Sequence, residues 1–298
     1  FVNSEQALPS WHFWIDRGGT FTDIVAWHEA SSELLTAKVR SEDPGRREDA
    51  SLAAIRAVLG LDDSADLRSL GAVSIRMGTT VATNALLTRS GVRTAAVLTK
   101  GLGDLLILGD QSRPRLFELD ISRPPPTWDL VIEADERIAV DGQVLRPLDE
   151  DQLYRDLASA REAGVEACAV ALMHGWTFQQ HEQRVVEVAR EVGFKEVVSS
   201  HEVCPLQGLL GRSHTTVVDA SLTPTLQDSI RAMRATMPEA TLEFMQSSGG
   251  LTAAEGFRGS RAILSGPAGG IVGAVAVAGS MGNIITFDMG GTSTDVAW

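Results

Sequence analysis

The pattern of apolar and polar positions predicts strands and helices that alternate along most of the chain. Near the start, clusters of β-branched and aromatic residues indicate strands at 12–16, 20–27 and 34–39. The polar run Ser41–Pro44 is predicted to start a helix, because apolar residues recur at helical spacing within 52–59. The first part of the chain is therefore expected to form three strands followed by a helix.

The middle of the chain continues the alternation. Residues 109–128 contain four prolines without a clear period, and they are predicted to form a long ordered loop. The predicted elements are strands at 73–77, 92–99, 165–173 and 197–198, helices at 81–89, 149–163 and 181–191, and a hairpin at 131–145. This order favours an α/β domain with a mostly parallel core.

A domain boundary is predicted near residues 200–210. Beyond it come a helix at 222–236, a strand at 242–246 and a glycine-rich region. We therefore expect an N-terminal domain at 11–203 and the start of a second domain at 204–298. The chain stops at Trp298, inside a strand that should return from a glycine turn, so the second domain is expected to be truncated.

The charge balance excludes several classes of function. Lys and Arg number 26 and Asp and Glu number 39, which gives a formal net charge of −13. Such an acidic chain is poorly suited to nucleic acid or to an anionic membrane surface. The most apolar stretch, 262–277, is broken by glycine and proline and is not expected to cross a membrane. A cytoplasmic location is expected.

The two cysteines, Cys168 and Cys204, lack the spacing of a zinc site or a disulfide framework. Reduced, mostly buried thiols are the favoured interpretation. A reactive Cys204 near His201 is the less favoured alternative. His174, which follows the strand predicted at 165–173, and His201 are both candidates for acid–base chemistry, although a structural role at a strand end is favoured for each.

One short element occurs twice. Residues Ile15–Asp23 and Phe287–Asp295 both read apolar-Asp-x-Gly-Gly-Thr-x-Thr-Asp, with identity at six of nine positions. Each follows an apolar strand and precedes a β-branched one. Consecutive glycines permit a tight turn whose N–H groups face an anion, and the threonine adds a hydroxyl donor. The aspartate cannot bind phosphate directly but suits Mg²⁺. The alternative is that both stretches are ordinary glycine hairpins, in which the aspartate only stabilises the turn.

Two further observations bear on a phosphate site. Ile263–Gly270 is predicted to join a strand to an apolar helix that starts near Gly270, and such an entry can bind phosphate or pack closely on a sheet. The chain has only three lysines, Lys38, Lys100 and Lys195, and none lies beside either turn in the sequence. A P-loop is absent.

The chain resembles the hydantoinase/5-oxoprolinase family in four stretches: 15–23, 77–87, 265–270 and 287–295. Within the family it is most similar to the 5-oxoprolinase branch, through residues 13–17, 113–117, 135–137, 172–175 and 200–203. The resemblance implies an α/β fold of the actin/sugar-kinase/Hsp70 ATPase type, with ribonuclease H-like mixed sheets. In that fold, two such turns bind the nucleotide phosphates.

The resemblance also implies an activity. It is the ATP-dependent opening of a cyclic amide, 5-oxo-L-proline with ATP and water giving L-glutamate, ADP and phosphate through a phosphorylated lactam. ATP and Mg²⁺ are the implied cofactors, with a monovalent cation such as K⁺ as an option. The implied partners are the cyclic amide, the remaining part of the same enzyme or a hydantoinase B-type subunit, and further copies in an oligomer. The chain alone is expected to be inactive.

Roles for individual residues follow from the two turns and the resemblance. Asp16 and Asp288 are the predicted Mg²⁺ partners and catalytic groups, and Arg17 is predicted to neutralise phosphate charge or to form a salt bridge. The predicted phosphate and nucleotide contacts are Gly18, Gly19, Thr20, Thr22, Gly266, Gly269, Gly270, Gly290, Gly291, Thr292 and Thr294. The substrate candidates are Thr79, Thr80, Asn84, Arg113 and Arg115, with helix capping as the alternative for Thr79.

Alternatives within and outside the family remain open. The sequence does not fix the ring size, so a hydantoinase, a larger-ring lactamase and a ketone carboxylase subunit stay possible. A non-catalytic, actin-like nucleotide-binding module is the alternative of a different class.

Overall fold

The computed structural model describes residues 10–45, 48–113, 115–120, 125–291 and 294–298. These residues divide into two compact units. Unit 1 takes its residues from Phe1–Leu87 and Leu226–Trp298, and unit 2 is Thr88–Thr225. The units are therefore not consecutive halves of the chain. The division at 203/204 remains a prediction, and the compact units follow a different one because the chain returns to unit 1 after completing unit 2.

Unit 1 is built around a mixed six-stranded sheet. Its first elements are β1 (Trp11–Arg17), β2 (Phe21–His28), β3 (Glu33–Arg40), α1 (Ala50–Leu59), β4 (Val73–Thr79) and α2 (Val81–Thr88). β1, β2 and β3 pair antiparallel in sequence order, and the glycine turn predicted the first of these pairings; β4 lies parallel to β1. The strand ends at Arg17 and Thr79 are therefore side by side.

The two faces of this sheet differ in polarity. Phe13 and Ile15 of β1 are buried on one face, whereas Trp14 and Asp16 are exposed on the other. α1 packs against β1, β2 and β3. The helix begins at Ala50, later than the polar run Ser41–Pro44 predicted, because Asp49 supplies the N-cap by accepting a 2.8 Å hydrogen bond from the Ser51 amide.

Unit 2 contains a four-stranded parallel sheet in the order β10-β9-β5-β6. Apolar clusters cover both faces, which explains the nearly continuous apolar strands. Its elements are β5 (Thr94–Thr99), α3 (Leu105–Leu108), β6 (Leu130–Ala134), β7 (Arg137–Ile138), β8 (Val144–Arg146), α4 (Glu150–Glu162), β9 (Ala167–Ala171), α5 (Gln180–Val192), β10 (Glu196–Ser199), α6 (Ser200–Val203) and the first part of α7 (Leu209–Thr236), whose residues from Leu226 onward belong to unit 1.

Two predictions for this region were wrong in part, at the start of the predicted hairpin and at the start of the predicted helix. The stretch predicted as one hairpin at 131–145 is divided, because β6 joins the parallel sheet beside β5 while only β7 and β8 pair with each other. The helix predicted at 222–236 begins at Leu209 and includes Pro224. Its first part has a weak apolar period, and the proline suggested a helix start where the helix in fact continues.

The chain then returns to unit 1 with β11 (Thr241–Met245), β12 (Leu251–Ala253), α8 (Gly259–Ala262), α9 (Ser265–Ala278), β13 (Thr286–Met289) and β14 (Thr294–Ala297). β11 pairs parallel with β4, and β12 completes the sheet order β12-β11-β4-β1-β2-β3. β13 and β14 form a separate antiparallel pair. Among the described residues, no helix is long and apolar enough to span a bilayer.

The glycine-rich stretch before Gly270 is helical. The helix begins at Ser265, so Gly266, Pro267 and Gly269 lie in its first turns, and it follows the short helix α8 and not a strand. Proline is favoured in the first turn of a helix, because its missing N–H has no helical partner there. The predicted start near Gly270 was therefore wrong by five residues.

Candidate functional site

The first repeated turn connects β1 and β2 as a tight hairpin. The Gly18 amide donates a 3.0 Å hydrogen bond to the Phe21 carbonyl. A Cβ atom at Gly18 would lie 2.8 Å from that same oxygen, so a larger residue cannot take this position without moving the backbone. The hydroxyl of Ser41 donates to the Gly18 carbonyl at 2.6 Å and fixes the turn from behind.

The second repeated turn lies between β13 and β14, which pair antiparallel like β1 and β2. Asp288 lies opposite Asp295, just as Asp16 lies opposite Asp23 in the first hairpin. Thr292, predicted to donate to phosphate, lies outside the described residues. Thr294 is the strand partner of Met289 and is exposed. The two hairpins thus repeat each other in register as well as in sequence.

Both turns and the start of α9 come together within unit 1. A Cβ atom at Gly291 of the second turn would lie 2.7 Å from the Thr20 hydroxyl of the first. A Cβ at Gly270 would lie 3.9 Å from Asp288 Oδ2, and one at Gly266 would lie 3.9 Å from Asp16 Oδ1. The glycines therefore leave open the space beside both carboxylates.

The contact between α9 and the sheet is held by specific hydrogen bonds. The Ser265 hydroxyl donates to the Thr79 carbonyl at 3.0 Å, and the Leu264 amide donates to the Thr83 hydroxyl at 3.0 Å. Gly269 faces Met245, 3.6 Å from where its Cβ would lie, so it serves close packing of the helix on β11. Gly266 and Gly270 are the glycines of this helix that face the carboxylates.

The carboxyl group of Asp16 lies in an unfavourable environment for its charge. Asp16 is exposed as a residue, but neighbouring groups partly desolvate its carboxyl and raise its pKa, and the negative charges of Asp23 and Asp288 raise the pKa further. The positive charge of Lys38 acts in the opposite direction and lowers it. The site thus gathers acidic groups that a cation would stabilise.

A lysine contacts β2 just after the first turn, although no lysine lies beside either turn in the sequence. The Lys38 ammonium donates to both carboxylate oxygens of Asp23 at 2.8 Å. Lys38 is distant from the turn in sequence, but β3 pairs with β2 so that Lys38 lies directly opposite Asp23. The predicted strands at 20–27 and 34–39 flank a polar turn. Pairing them as a hairpin around that turn would have brought Lys38 close to Asp23.

The Arg17 guanidinium is held by a carboxylate of its own unit. Its Nη1 atom lies 2.7 Å from Asp49 Oδ2, and both side chains are largely buried. This contact favours the salt-bridge alternative for Arg17 over direct neutralisation of phosphate charge. Asp49 also caps α1, so the pair connects the first turn to that helix.

Thr22 and Thr79 face away from the carboxylates. Thr22 is fully buried, and its hydroxyl lies 2.9 Å from that of Ser41. Thr22 therefore faces the opposite side of β2 from its neighbour Asp23. Thr79 is buried and accepts a 3.2 Å hydrogen bond from the Val81 amide, which agrees with the capping alternative.

Thr80 and Asn84 lie closer to the glycines of α9. The Thr80 hydroxyl donates to the Arg17 carbonyl at 3.1 Å, and a Cβ at Gly266 would lie 3.7 Å from Thr80 Cγ2. The side-chain amide of Asn84 donates to the Thr80 hydroxyl at 3.4 Å. These two substrate candidates therefore belong to the same region of unit 1 as Asp16.

The other candidates belong to unit 2. Arg113 and Arg115 are exposed, and Arg115 pairs with Glu118 three residues later. His201 forms a 2.7 Å contact with the fully buried Glu182, and this hydrogen bond raises the pKa of the imidazole. His174 has a left-handed backbone with φ 62°, in a turn after β9.

Glu182 organises a buried polar cluster at the carboxyl ends of the parallel strands. It accepts hydrogen bonds from the Leu172 amide at 2.8 Å and from the Ser200 hydroxyl at 2.5 Å. Arg212, also buried, donates to the Ser200 hydroxyl at 2.7 Å. These partners satisfy the buried charge, and the contacts of His201 agree with the structural alternative for it. Burial raises the pKa of the Cys168 thiol to about 12, which agrees with an inert thiol.

A cleft of about 1280 Å³ lies within unit 2. Its described lining includes Leu106, Trp128, Glu133 and His214, and none of the predicted site residues. Among the described residues, no cluster of three or more His, Cys, Asp or Glu side chains is arranged to hold a metal ion. Asp16 and Asp288 alone would leave most positions around Mg²⁺ to water or phosphate oxygens, which suits that ion.

Comparison with known proteins places these features in a family. Residues 12–193 match the family described as the hydantoinase/oxoprolinase N-terminal region, and residues 212–298 match hydantoinase/oxoprolinase. The chain is 37% identical to 5-oxoprolinase of Dictyostelium discoideum, covering 96% of this chain and 26% of that protein. It is 38% identical to 5-oxoprolinase 1 of Arabidopsis thaliana, with 96% and 25% covered.

A solved structure shows the same fold. The ATP-dependent caprolactamase from Pseudomonas jessenii superimposes with a TM-score of 0.77 at 31% identity, covering 96% of this chain and 43% of that one. The mixed sheet and the repeated glycine turns therefore define an actin-like ATPase fold, as the resemblance predicted. The chain belongs to the hydantoinase/oxoprolinase family. It spans about a quarter of the length of the 5-oxoprolinases it matches.

Proposed function

We propose that this chain supplies the phosphate-binding part of an ATP-dependent enzyme that opens a cyclic amide, with 5-oxo-L-proline as the substrate. The observation that carries the proposal is the meeting of two repeated Asp-x-Gly-Gly-Thr turns at the start of α9, where Gly291 lies against Thr20 and Gly270 lies beside Asp288. Two relatives named 5-oxoprolinase, each at 37% identity or more over nearly all of this chain, favour this ring.

The residues present fit a magnesium-bound polyphosphate. The positions of Gly78, Gly266 and Gly270 leave open space beside Asp16 and Asp288 that a Cβ atom would narrow. Carboxylate oxygens are the ligands that Mg²⁺ prefers, usually with several waters retained. ATP supplies a phosphoryl group to the carbonyl oxygen of the ring amide, which makes that carbon open to attack by water. K⁺ is an optional part of the proposal and rests on the sequence resemblance alone.

In this proposal the chain positions groups and compensates charge. The backbone amides of Gly19, Gly290 and Gly291 would donate to phosphate oxygens, whereas the Gly18 amide is already bonded to the Phe21 carbonyl and would hold the turn in shape. Thr20 adds a hydroxyl donor beside Gly291. Asp16 and Asp288 would be the side chains that hold Mg²⁺, directly or through water. Such preorganised donors and charges are the main protein contribution to phosphoryl transfer.

The whole enzyme needs more than this chain. The remaining part of the same protein or a hydantoinase B-type subunit completes the proposed machinery, together with oligomerisation and a cytoplasmic location, and these points rest on the sequence expectations. The leading alternative is a larger-ring lactamase, which the similarity to a caprolactamase favours.

The proposal is tested first on the chain itself, with magnesium tripolyphosphate as the probe and isothermal titration calorimetry as the measurement. The wild-type chain is expected to bind the probe only when Mg²⁺ is present. Asp288→Asn is expected to weaken Mg²⁺-dependent binding about tenfold or more, because one of two charged ligand groups is lost. Asp228→Asn is the matched control, since Asp228 is an exposed aspartate of unit 1 paired with Arg231.

The substrate is tested in the complete protein by measuring ADP release with 5-oxoproline, hydantoin, caprolactam and acetophenone offered separately. Stimulation by 5-oxoproline supports the proposed ring, and stimulation by caprolactam alone replaces it with the larger-ring alternative. A wild-type chain that binds no magnesium tripolyphosphate, or an Asp288→Asn variant with unchanged binding, would reject the two-turn site.

A further inference from the structure

One row of residues crosses three strands beside the candidate phosphate site. Asp16 of β1 lies opposite Asp23 of β2, and Asp23 lies opposite Lys38 of β3. Directly opposed residues project from the same face of a sheet. The row therefore runs Asp16, Asp23, Lys38 on the face that also carries the open space beside Gly78 and Gly266.

Lys38 is held at the end of this row by two contacts. Its ammonium donates to both oxygens of Asp23 at 2.8 Å and lies 5.4 Å from the centre of the Phe21 ring. Phe21 and Asp23 alternate with the buried Thr22, so both support the lysine from the same face. The Lys38 side chain is 55% exposed, and it can change partners without leaving a buried group unpaired.

The charges around Asp16 connect Lys38 to the candidate phosphate site. Asp23 and Asp288 both act on Asp16 with negative charge, and Lys38 acts on it with positive charge. Arg17, the nearest cation in sequence, is occupied by Asp49. Neighbouring strands are about 5 Å apart, so a lysine two strands away has the reach to place its ammonium beside Asp16.

We propose that Lys38 is a phosphate-binding residue of this site, and that its ammonium moves from Asp23 to a phosphate oxygen when a polyphosphate enters. The inference rests on the proposed function. Asp23 acts as the positioning residue that keeps the ammonium at the rim of the site until the anion arrives. The exchange replaces one charge-assisted hydrogen bond by another, so it needs no new charge to be buried.

The experiment measures binding of magnesium tripolyphosphate to the chain by calorimetry. Lys38→Met is expected to weaken binding about tenfold, because one charge-assisted contact to phosphate is lost, and Lys38→Arg is expected to recover most of it. Lys100→Met is the matched control: Lys100 is 53% exposed and pairs with Asp135 at 2.8 Å, but it belongs to unit 2. Its binding constant is expected to be unchanged.

Two further readouts distinguish a direct contact from other roles. At 1 M salt the Debye length is only about 3 Å, so a Lys38→Met effect that disappears there would reduce Lys38 to a distant charge and overturn the proposal. Asp23→Asn is expected to tighten binding while Lys38→Met weakens it. If the Lys38–Asp23 pair were purely structural, both variants would change the melting temperature by a similar amount and would bind tripolyphosphate like the wild type. That result would also overturn the proposal.

The outcomes separate this inference from the proposed function. If the wild-type chain does not bind magnesium tripolyphosphate, the two-turn site itself fails. If the wild-type chain binds it and Lys38→Met binds equally well, the site stands and the role of Lys38 is rejected.

Discussion

Asp16 is the residue on which the candidate site depends most. Burial and the charges of Asp23 and Asp288 hold its pKa above the ordinary value of 3.8, and Lys38 offsets only part of this effect. The ionised form of such a carboxyl group is destabilised when no cation is bound. This is expected of a residue whose role is to bind a metal ion. The same surroundings make the stability of the chain depend on pH.

Asp16→Asn is expected to raise the melting temperature relative to the wild type, and the difference should grow as the pH rises. Because the pKa is higher in the folded chain, the folded state binds more protons than the unfolded state above pH 3.8. The free energy of unfolding of the wild type therefore falls as the pH rises through this window, whereas the neutral asparagine escapes this loss. Differential scanning calorimetry between pH 3.5 and 7 measures the difference.

Asp228→Asn, at an exposed position of unit 1, provides the control for this titration. It should show no comparable gain toward neutral pH. If the melting-temperature difference between Asp16→Asn and the wild type did not change with pH, the folded chain would not destabilise the ionised form of Asp16. The variant is also expected to lose Mg²⁺-dependent binding of tripolyphosphate, so its stability and its binding should change in opposite directions.

At the level of elements, α1 is connected to the first turn through one residue. Asp49 Oδ1 accepts the Ser51 amide at the helix N-terminus, and Asp49 Oδ2 accepts the Arg17 guanidinium at 2.7 Å. The helix and the strand that carries Asp16 therefore share a partner. α4 offers a comparison, because Asp149 caps that helix at 3.0 Å from an exposed position.

Asp49→Ala is expected to lower the free energy of opening of α1 by about 2 kcal/mol, because it removes a cap and a largely buried ion pair. Asp149→Ala is expected to cost about 1 kcal/mol at α4, since it removes the cap alone. Hydrogen–deuterium exchange of peptides from the two helices measures both effects. Asp49→Asn should retain the cap and lose only the ion pair, and equal costs for Asp49→Ala and Asp149→Ala would contradict the double role.

Strand patterns predicted these elements better than glycine patterns did. β1, β2 and β3 were predicted within about one residue, because alternating buried positions such as Phe13 and Ile15 leave a period of two. The start of α9 was missed because Gly266, Pro267 and Gly269 resemble a loop, although close packing on Met245 and the bond from Ser265 to Thr79 make a helix stable there. At the start of α9, tertiary contacts outweigh the low helix propensity of glycine and proline.

For the whole molecule, sequence order concealed how the site is assembled. Asp16 and Asp288 are separated by most of the chain, and unit 2 is inserted between the two parts of unit 1. The repeated turn predicted their meeting because the same nine-residue pattern occurs twice. Nothing similar marked Lys38, since its contact with Asp23 depends on strand register, which a sequence pattern fixes only when the turn between the strands is known.

The net charge of −13 leads to a prediction for the chain as a whole. Tripolyphosphate is also strongly negative, so long-range repulsion should slow its association, and added salt should relieve this repulsion. Between about 0.01 and 0.15 M salt, where the Debye length falls from about 30 to about 8 Å, the association rate constant measured by stopped flow is expected to rise. Mg²⁺ neutralises part of the ligand charge and should make the rise smaller. An association rate that falls with salt would instead show that the field at the entrance is positive, and that Lys38 outweighs the carboxylates of Asp16, Asp23 and Asp288 well beyond contact distance.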